Sequence, residues 1–399
     1  MTASRDAGIG RRELLRRGAL FGAASLAAPL SACGISASPG DAGRKEASRR
    51  LPPLAHEVVI AQWPLYIDKR TVPSFERKSQ IDVTYKETIN DNQEFFSVIG
   101  ESLRAGEPTG WDLVALSDWV VAKMNQLGWI ESLDYSLLPH VSRNLGKLFR
   151  DPPYDPDNAH SVPWQGGITG IGYDPQLTDR PITRFADLWD DAFEGHVGML
   201  TEMVDTMSLT LLMLGVDPQK AAVEDVERAQ QALLRQRQKG IVRSYYGQNY
   251  VRALSSGDVW ATMAWSGDVF WLKQDRPDLE FVVPEEGGII WTTPLSIPEG
   301  ARHPRDAHLF LDYVYRPEIA ANITEYVGYI TPVPEVRDVL VQRRARADSK
   351  ARRNYLDTLI ESPLVFPDDA MSERLYSYKV LSPEEDQRWN QLFQQVSQS

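Results

Sequence analysis

Short apolar strands alternate with helical stretches along most of this chain, and that alternation restricts the fold more than any other feature. Val58-Val59-Ile60-Ala61 reads as a strand that stops at Gln62-Trp63-Pro64, and a helical stretch follows through Phe75. Ile81 to Tyr85 alternates and is β-branched, as a half-buried strand requires. Asp91-Asn92-Gln93-Glu94 has capping-box spacing before a helix expected from Gln93 to about Leu103. Asp112 to Leu116 is a further apolar strand, followed by a helix over Val120–Leu127 closed by Gly128. The pattern resumes with strands at Gly170–Tyr173, Val197–Leu200, Val259–Trp265 and Leu279–Pro284, and with helices opening at Phe185 and Thr206. Strand–helix alternation implies mainly parallel sheets with helices on both faces. No short repeat is present, so two α/β lobes are expected rather than a solenoid.

In open parallel sheets, ligands bind beyond the carboxyl ends of the strands. The residues expected there are Trp63 and Tyr66, then Ser117, Asp118 and Trp119, then Thr201, Glu202 and Asp205, then Trp265, Ser266 and Asp268. Trp291 and Tyr329 stand in similar loop contexts. Aromatic rings and carboxylates thus recur where a cleft between two lobes should lie. Ring faces attract ammonium groups by about 0.5–2 kcal/mol, and charged hydrogen bonds contribute about 1.5–3 kcal/mol. Such a wall suits an extended organic cation. Taken singly, each of these residues has a plainer structural role open to it. Asp118 and Asp268 could be helix caps, Glu202 and Asp205 a solvated helix start, and Trp111, Trp129, Trp189, Trp260 and Trp271 core. Recurrence at strand ends is what favours a ligand.

The first residues add an address. Arg11-Arg12-Glu13-Leu14-Leu15-Arg16 precedes an apolar run from Gly18 to Leu30, which ends in Leu30-Ser31-Ala32-Cys33. This resembles a twin-arginine export signal joined to a bacterial lipobox, in which the cysteine is lipidated. Cys33 is the only cysteine, so no disulfide can form within one chain. Residues 1–32 therefore read as a signal peptide and 33–56 as a lipidated tether, too polar and Pro-rich to bury a core. The leader carries a net +3 of the chain's −12, leaving −15 on about 365 residues, enough for two domains. Acidity argues against nucleic acid as a partner. No later run is long and apolar enough to span a bilayer.

No Gly-x-Ser-x-Gly elbow, Walker loop or zinc-type His spacing occurs. Asp155-Pro156-Asp157-Asn158 reads as a turn rather than a calcium loop. The reading is therefore of no enzyme, no catalytic residue, no metal and no cofactor.

A resemblance to the periplasmic polyamine-binding (spermidine/putrescine type) proteins of ABC importers runs from about Val58 to Phe393. It rests on Trp63-Pro64-Leu65-Tyr66, Gly110-Trp111-Asp112-Leu113-Val114, Ser161-Val162-Pro163-Trp164, Thr169-Gly170-Ile171-Gly172-Tyr173 and Phe185-Ala186-Asp187-Leu188-Trp189. Val282 to Trp291 and Gly328-Tyr329-Ile330-Thr331-Pro332 carry it further. The resemblance implies two hinged α/β lobes with several crossings, closing on a ligand, in a monomer that serves membrane permease subunits. Lobe 1 is expected over 57–166 plus about 294–332, and lobe 2 over 167–293 plus about 333–399. It also implies ligand contacts at Trp63, Tyr66, Ser117, Trp119, Trp265, Trp291 and Tyr329. Its acidic positions fall on Thr293, Met203 and Thr206, the last two each one residue past Glu202 and Asp205. The expected protein is a lipid-anchored binding protein for a polyamine on the outer face of the cytoplasmic membrane. The rivals are a binding protein for another small solute and an extracytoplasmic hydrolase.

Overall fold

Two long strands at the centre of the sheet organise this molecule. β4 (Ser161–Tyr173) is buried along its whole length, and β9 (Gly288–Ser296) runs antiparallel beside it. In this computed structural model, residues 51–89 and 92–397 are described. The export signal, Cys33, nearly all of the tether and Asp91 of the expected capping box lie outside them. Leu54–Ser399 packs as one unit.

On one side of this β4–β9 ribbon stand β1 (Glu57–Gln62), β2 (Asp82–Glu87) and β3 (Leu113–Ala115). On the other stand β5 (Val197–Leu200), β6 (Val242–Tyr246) and β7 (Ala261–Trp265). The continuous order is β2-β1-β3-β9-β4-β7-β5-β6. β8 (Glu280–Val282) pairs with β4, and β10 (Leu375–Tyr376) with β9. Each outer trio is parallel within itself, as the strand–helix alternation implies. The joins to the ribbon are antiparallel. One sheet thus passes through both halves, where two separate sheets are expected from the sequence. Pro163 faces Pro294 in the ribbon, and the register shifts between Pro163 and Gln165. Neither proline has an N–H to give the ladder, so the irregularity falls where pairing is weakest.

The core divides likewise. One large cluster includes Ile60, Phe75, Leu113, Phe310 and Ile323, and the other includes Phe185, Met199, Leu209, Met263 and Trp389. Val336, Leu340, Leu356, Leu359 and Val365, beyond the lobe boundary expected near residue 332, lie in the first cluster. The cause is local: the helices Val336–Ala345 and Lys350–Glu361 pack in sequence behind Pro317–Val327. The segment from Tyr376 to Leu381 and the terminal helix α12 (Pro383–Ser397) return to the second cluster, through Tyr378, Trp389, Leu392, Phe393 and Val396.

Two helices set the site. α3 (Asp118–Gln126) follows β3 directly, with Ser117 extended at its N-cap. α4 (Met203–Met213) follows β5 and is buried on nearly every side. A helix that is apolar all round belongs inside a protein, which is why its sequence shows no exposed face.

Candidate functional site

The carboxylates come first, because burying a charge is costly and needs a reason. Asp118, in the first turn of α3, is 5% exposed. Its Oδ1 accepts the Trp119 N–H at 2.8 Å and its Oδ2 accepts the Thr292 N–H at 3.0 Å. It therefore ties the first lobe to the ribbon, and Ser117 takes the cap position. Burial pushes the Asp118 carboxyl up to about 7, against the pull of its backbone donors and with a further push from the charge of Asp205.

Asp205, in the first turn of α4, is 1% exposed. It accepts the Thr169 hydroxyl and, at 2.7 Å, the Tyr378 hydroxyl, and the Trp265 side chain also hydrogen-bonds it. Burial raises it to about 6. No lysine or arginine pairs with either carboxylate among the described residues. The Asp118 oxygens each hold one backbone donor and keep lone-pair capacity for another.

Around these acids stand the rings. Trp291 lies over Gly167, its cross-strand partner, so closely that a Cβ there would collide with the indole. Trp291 meets Tyr329 edge-on at 5.4 Å, and Tyr329 meets Tyr66 edge-on at 5.9 Å. Tyr329 also covers Gly267, where a Cβ would come within 2.5 Å of its ring. The Tyr329 and Tyr250 hydroxyls both donate to Asp268, at 3.3 and 2.8 Å. Trp265 stands edge-on to Tyr250 at 5.7 Å. The sequence-expected rings Tyr66, Trp265, Trp291 and Tyr329 are thus joined in one network across the ribbon.

Other expected residues take quieter positions. The Trp63 indole donates to the Ala115 carbonyl at 2.9 Å, on the first-lobe side. Ser117 exchanges two hydrogen bonds with Asn92. Trp119 packs against the second core cluster and the smaller third one. Glu202 precedes α4 at its N-cap position, half-buried, and gives the cap no side-chain bond. Of the three positions where the family acids were expected, Thr206 turns its hydroxyl to the Leu200 carbonyl at 2.8 Å and Met203 packs on the core. Thr293 is 4% exposed on the ribbon. Trp189 gives its indole N–H to the Ala232 carbonyl at 3.1 Å, as a core residue should.

Sequence reasoning missed Tyr378, Tyr154, Thr292, Thr169 and Gln165 as parts of the site. The Thr292 and Tyr154 hydroxyls bond each other at 3.0 Å. Asp118, Trp119, Phe149, Tyr154, Thr292 and Tyr378 line a chamber of about 40 Å³. A far larger hollow, about 650 Å³, lies beside α12 against the helix Val223–Gln238. It is walled by surface charges such as Arg228, Arg235 and the Arg388–Glu227 pair. It includes no ribbon residue, whereas the small chamber holds Thr292 of the ribbon and the Asp118 end of the candidate site. A Lys123–Asp386 ion pair of 2.8 Å links α3 to α12.

A family model of bacterial extracellular solute-binding proteins matches residues 71–349. The chain belongs to that family. The spermidine/putrescine-binding periplasmic protein 1 of Haemophilus influenzae is 28% identical over 323 residues, 80% of this chain and 86% of that protein. The putrescine-binding periplasmic protein PotF of Escherichia coli is 27% identical over 348 residues, 82% and 87% of the two chains. Among solved structures, a putative spermidine/putrescine ABC transporter protein of Listeria monocytogenes superposes with a TM-score of 0.73 at 24% identity. That superposition covers 86% of this chain and 99% of the other. It places the α/β architecture of this solute-binding protein among the two-lobed binding proteins.

Proposed function

We propose that this protein captures a polyamine-type organic cation between its lobes and presents it to an ABC importer. One observation carries the reading: Asp118 and Asp205 are buried beside the ribbon with no lysine or arginine paired to them among the described residues. A cation that enters with its own donors offsets that uncompensated burial. The edge-on rings of Tyr66, Tyr329 and Trp291 supply apolar surface for methylene groups and faces for charge. The curated relatives bind spermidine or putrescine by name, and the reading assigns no catalytic step to the chain. Calorimetric titration with spermidine and putrescine tests it. Saturable binding with quenched or shifted tryptophan emission is expected. Failure of every amine to bind would overturn it.

The same proposal places the protein outside the cytoplasmic membrane, anchored through Cys33. One acyl chain alone gives only marginal attachment, and two give a stable anchor. Cys33→Ala is expected to release the protein from membranes or leave it at the mass of its precursor. A variant of wild-type mass that stays with membranes through a carbonate wash would remove the anchor from the account.

A further inference from the structure

We infer that the preferred ligand is an amine whose far end is a neutral amide, that is, a mono-N-acylated diamine rather than a free diamine or triamine. This rests on the organic-cation reading above and concerns the same cleft. A free diamine carries an ammonium at each end, and each end needs an acceptor of negative charge when water is removed. Asp118 and Asp205 supply that at one place, joined through Tyr378, which lines the Asp118 chamber and donates to Asp205; the third buried acid, Asp268, is already held by the Tyr250, Gln248 and Tyr329 side chains. The neighbouring ribbon positions are neutral. Thr293 faces Gln165, and Trp291 faces Gly167.

Two of those side chains have an atom that meets nothing. The Trp291 Nε1–H is a buried donor without a partner among the described residues, and Gln165 Oε1 is a buried acceptor without one. Gln165 is 2% exposed. Because cross-strand partners share a face and alternate residues return to it, Gln165, Thr293, Gly167 and Trp291 lie on one face, with Gln165 and Trp291 diagonal across the ladder. Unmet buried polar atoms are costly. A secondary amide has one N–H and one carbonyl, and so answers both. An ammonium has three donors and no acceptor. It could serve Gln165 but would leave the indole N–H unmet. A carboxylate, as in an ω-amino acid, has acceptors only and would leave Gln165 Oε1 unmet.

The test is competitive calorimetry on the intact protein with N-acetylputrescine, putrescine, spermidine and 4-aminobutyrate. N-acetylputrescine is expected to bind at least about tenfold more tightly than the others, the worth of one buried hydrogen bond. Trp291→Phe keeps a ring and removes the N–H. It should weaken N-acetylputrescine about tenfold more than it weakens putrescine. Thr293→Asp should reverse the preference toward putrescine. Equal or tighter binding of putrescine or spermidine overturns the inference and leaves the cation reading standing. Tightest binding of 4-aminobutyrate, or equal losses for both amines in Trp291→Phe, also overturns it. If no amine binds, the cation reading falls with it.

Discussion

Asp205→Asn is expected to weaken binding of a cationic amine by about ten- to a hundredfold while changing stability at neutral pH by less than about 1 kcal/mol. The two effects separate because they have different origins. Affinity depends on the carboxylate's charge, since a charged hydrogen bond contributes about 1.5–3 kcal/mol. Stability depends on two opposed changes. The amide keeps an oxygen for the Thr169 and Tyr378 hydroxyls. It gains an N–H that cannot accept from the Trp265 side chain, which bonds this group in the native protein. Against that loss, a buried charge with no partnering cation disappears. Asp118→Asn should behave alike, since one oxygen keeps a backbone donor and the other does not. Titration calorimetry and thermal unfolding on the same preparations check both halves. Trp189→Ala provides the contrast. Its ring is packed in the second core cluster, so it should lower the melting temperature without a specific loss of affinity. If Asp205→Asn binds as the wild type does, the carboxylate does not receive the ligand's charge.

Much of this site could be read from local sequence, and the reasons it stops are physical. Leu113–Ala115 and Val197–Leu200 were legible because buried parallel strands are continuous apolar runs. The strand Val242–Tyr246 was not, because it is a half-exposed edge strand holding Arg243 and Ser244. β9 was hidden for the opposite reason. Trp291 stands in a loop context by sequence, yet it lies in the ribbon with Thr292, Thr293 and Pro294, which are buried. Trp291 and Tyr329 stand in specific motifs that single them out by sequence, whereas spacing does not choose between Asp205 and Thr206. α4 is buried all round, so no apolar face tells which residue points to the cleft. Only the structure shows Asp205 on Thr169 and Tyr378, with Thr206 turned to a backbone carbonyl. Tyr378 reaches Asp205 across 173 residues of chain. It sits between a two-residue strand and α12, where no periodic pattern exists to flag it.

Affinity for a cationic amine is expected to rise between about pH 5.5 and 7.5 and then level off, while the ligand-free protein becomes less stable over the same rise. Both follow from carboxyls raised by burial, Asp118 to about 7 and Asp205 to about 6. Neighbouring groups add little of their own. Burial pushes the Tyr378 and Tyr154 phenols further up, so they stay neutral in this window, and Lys379, which also lines the chamber, is paired with Glu385. A bound ammonium favours the ionised carboxylates and expels their protons. Below the raised values that expulsion must be driven by binding, and affinity falls by up to about tenfold per pH unit for each carboxyl concerned. Folding has the reverse sign. An aspartate in the unfolded chain titrates near 3.9, so between about pH 4 and 7 the folded state holds more protons than the unfolded one. Stability contributed by the two acids is therefore full below about pH 4 and is lost as pH rises through 6 and 7. Bound ligand should flatten that loss, because it compensates the charge that burial penalises. Calorimetry in two buffers of different ionisation heat reads the proton release directly, and unfolding curves with and without ligand read the stability. Binding that is flat from about pH 5.5 to 8 and independent of buffer would show that the buried carboxylates and the ligand do not meet.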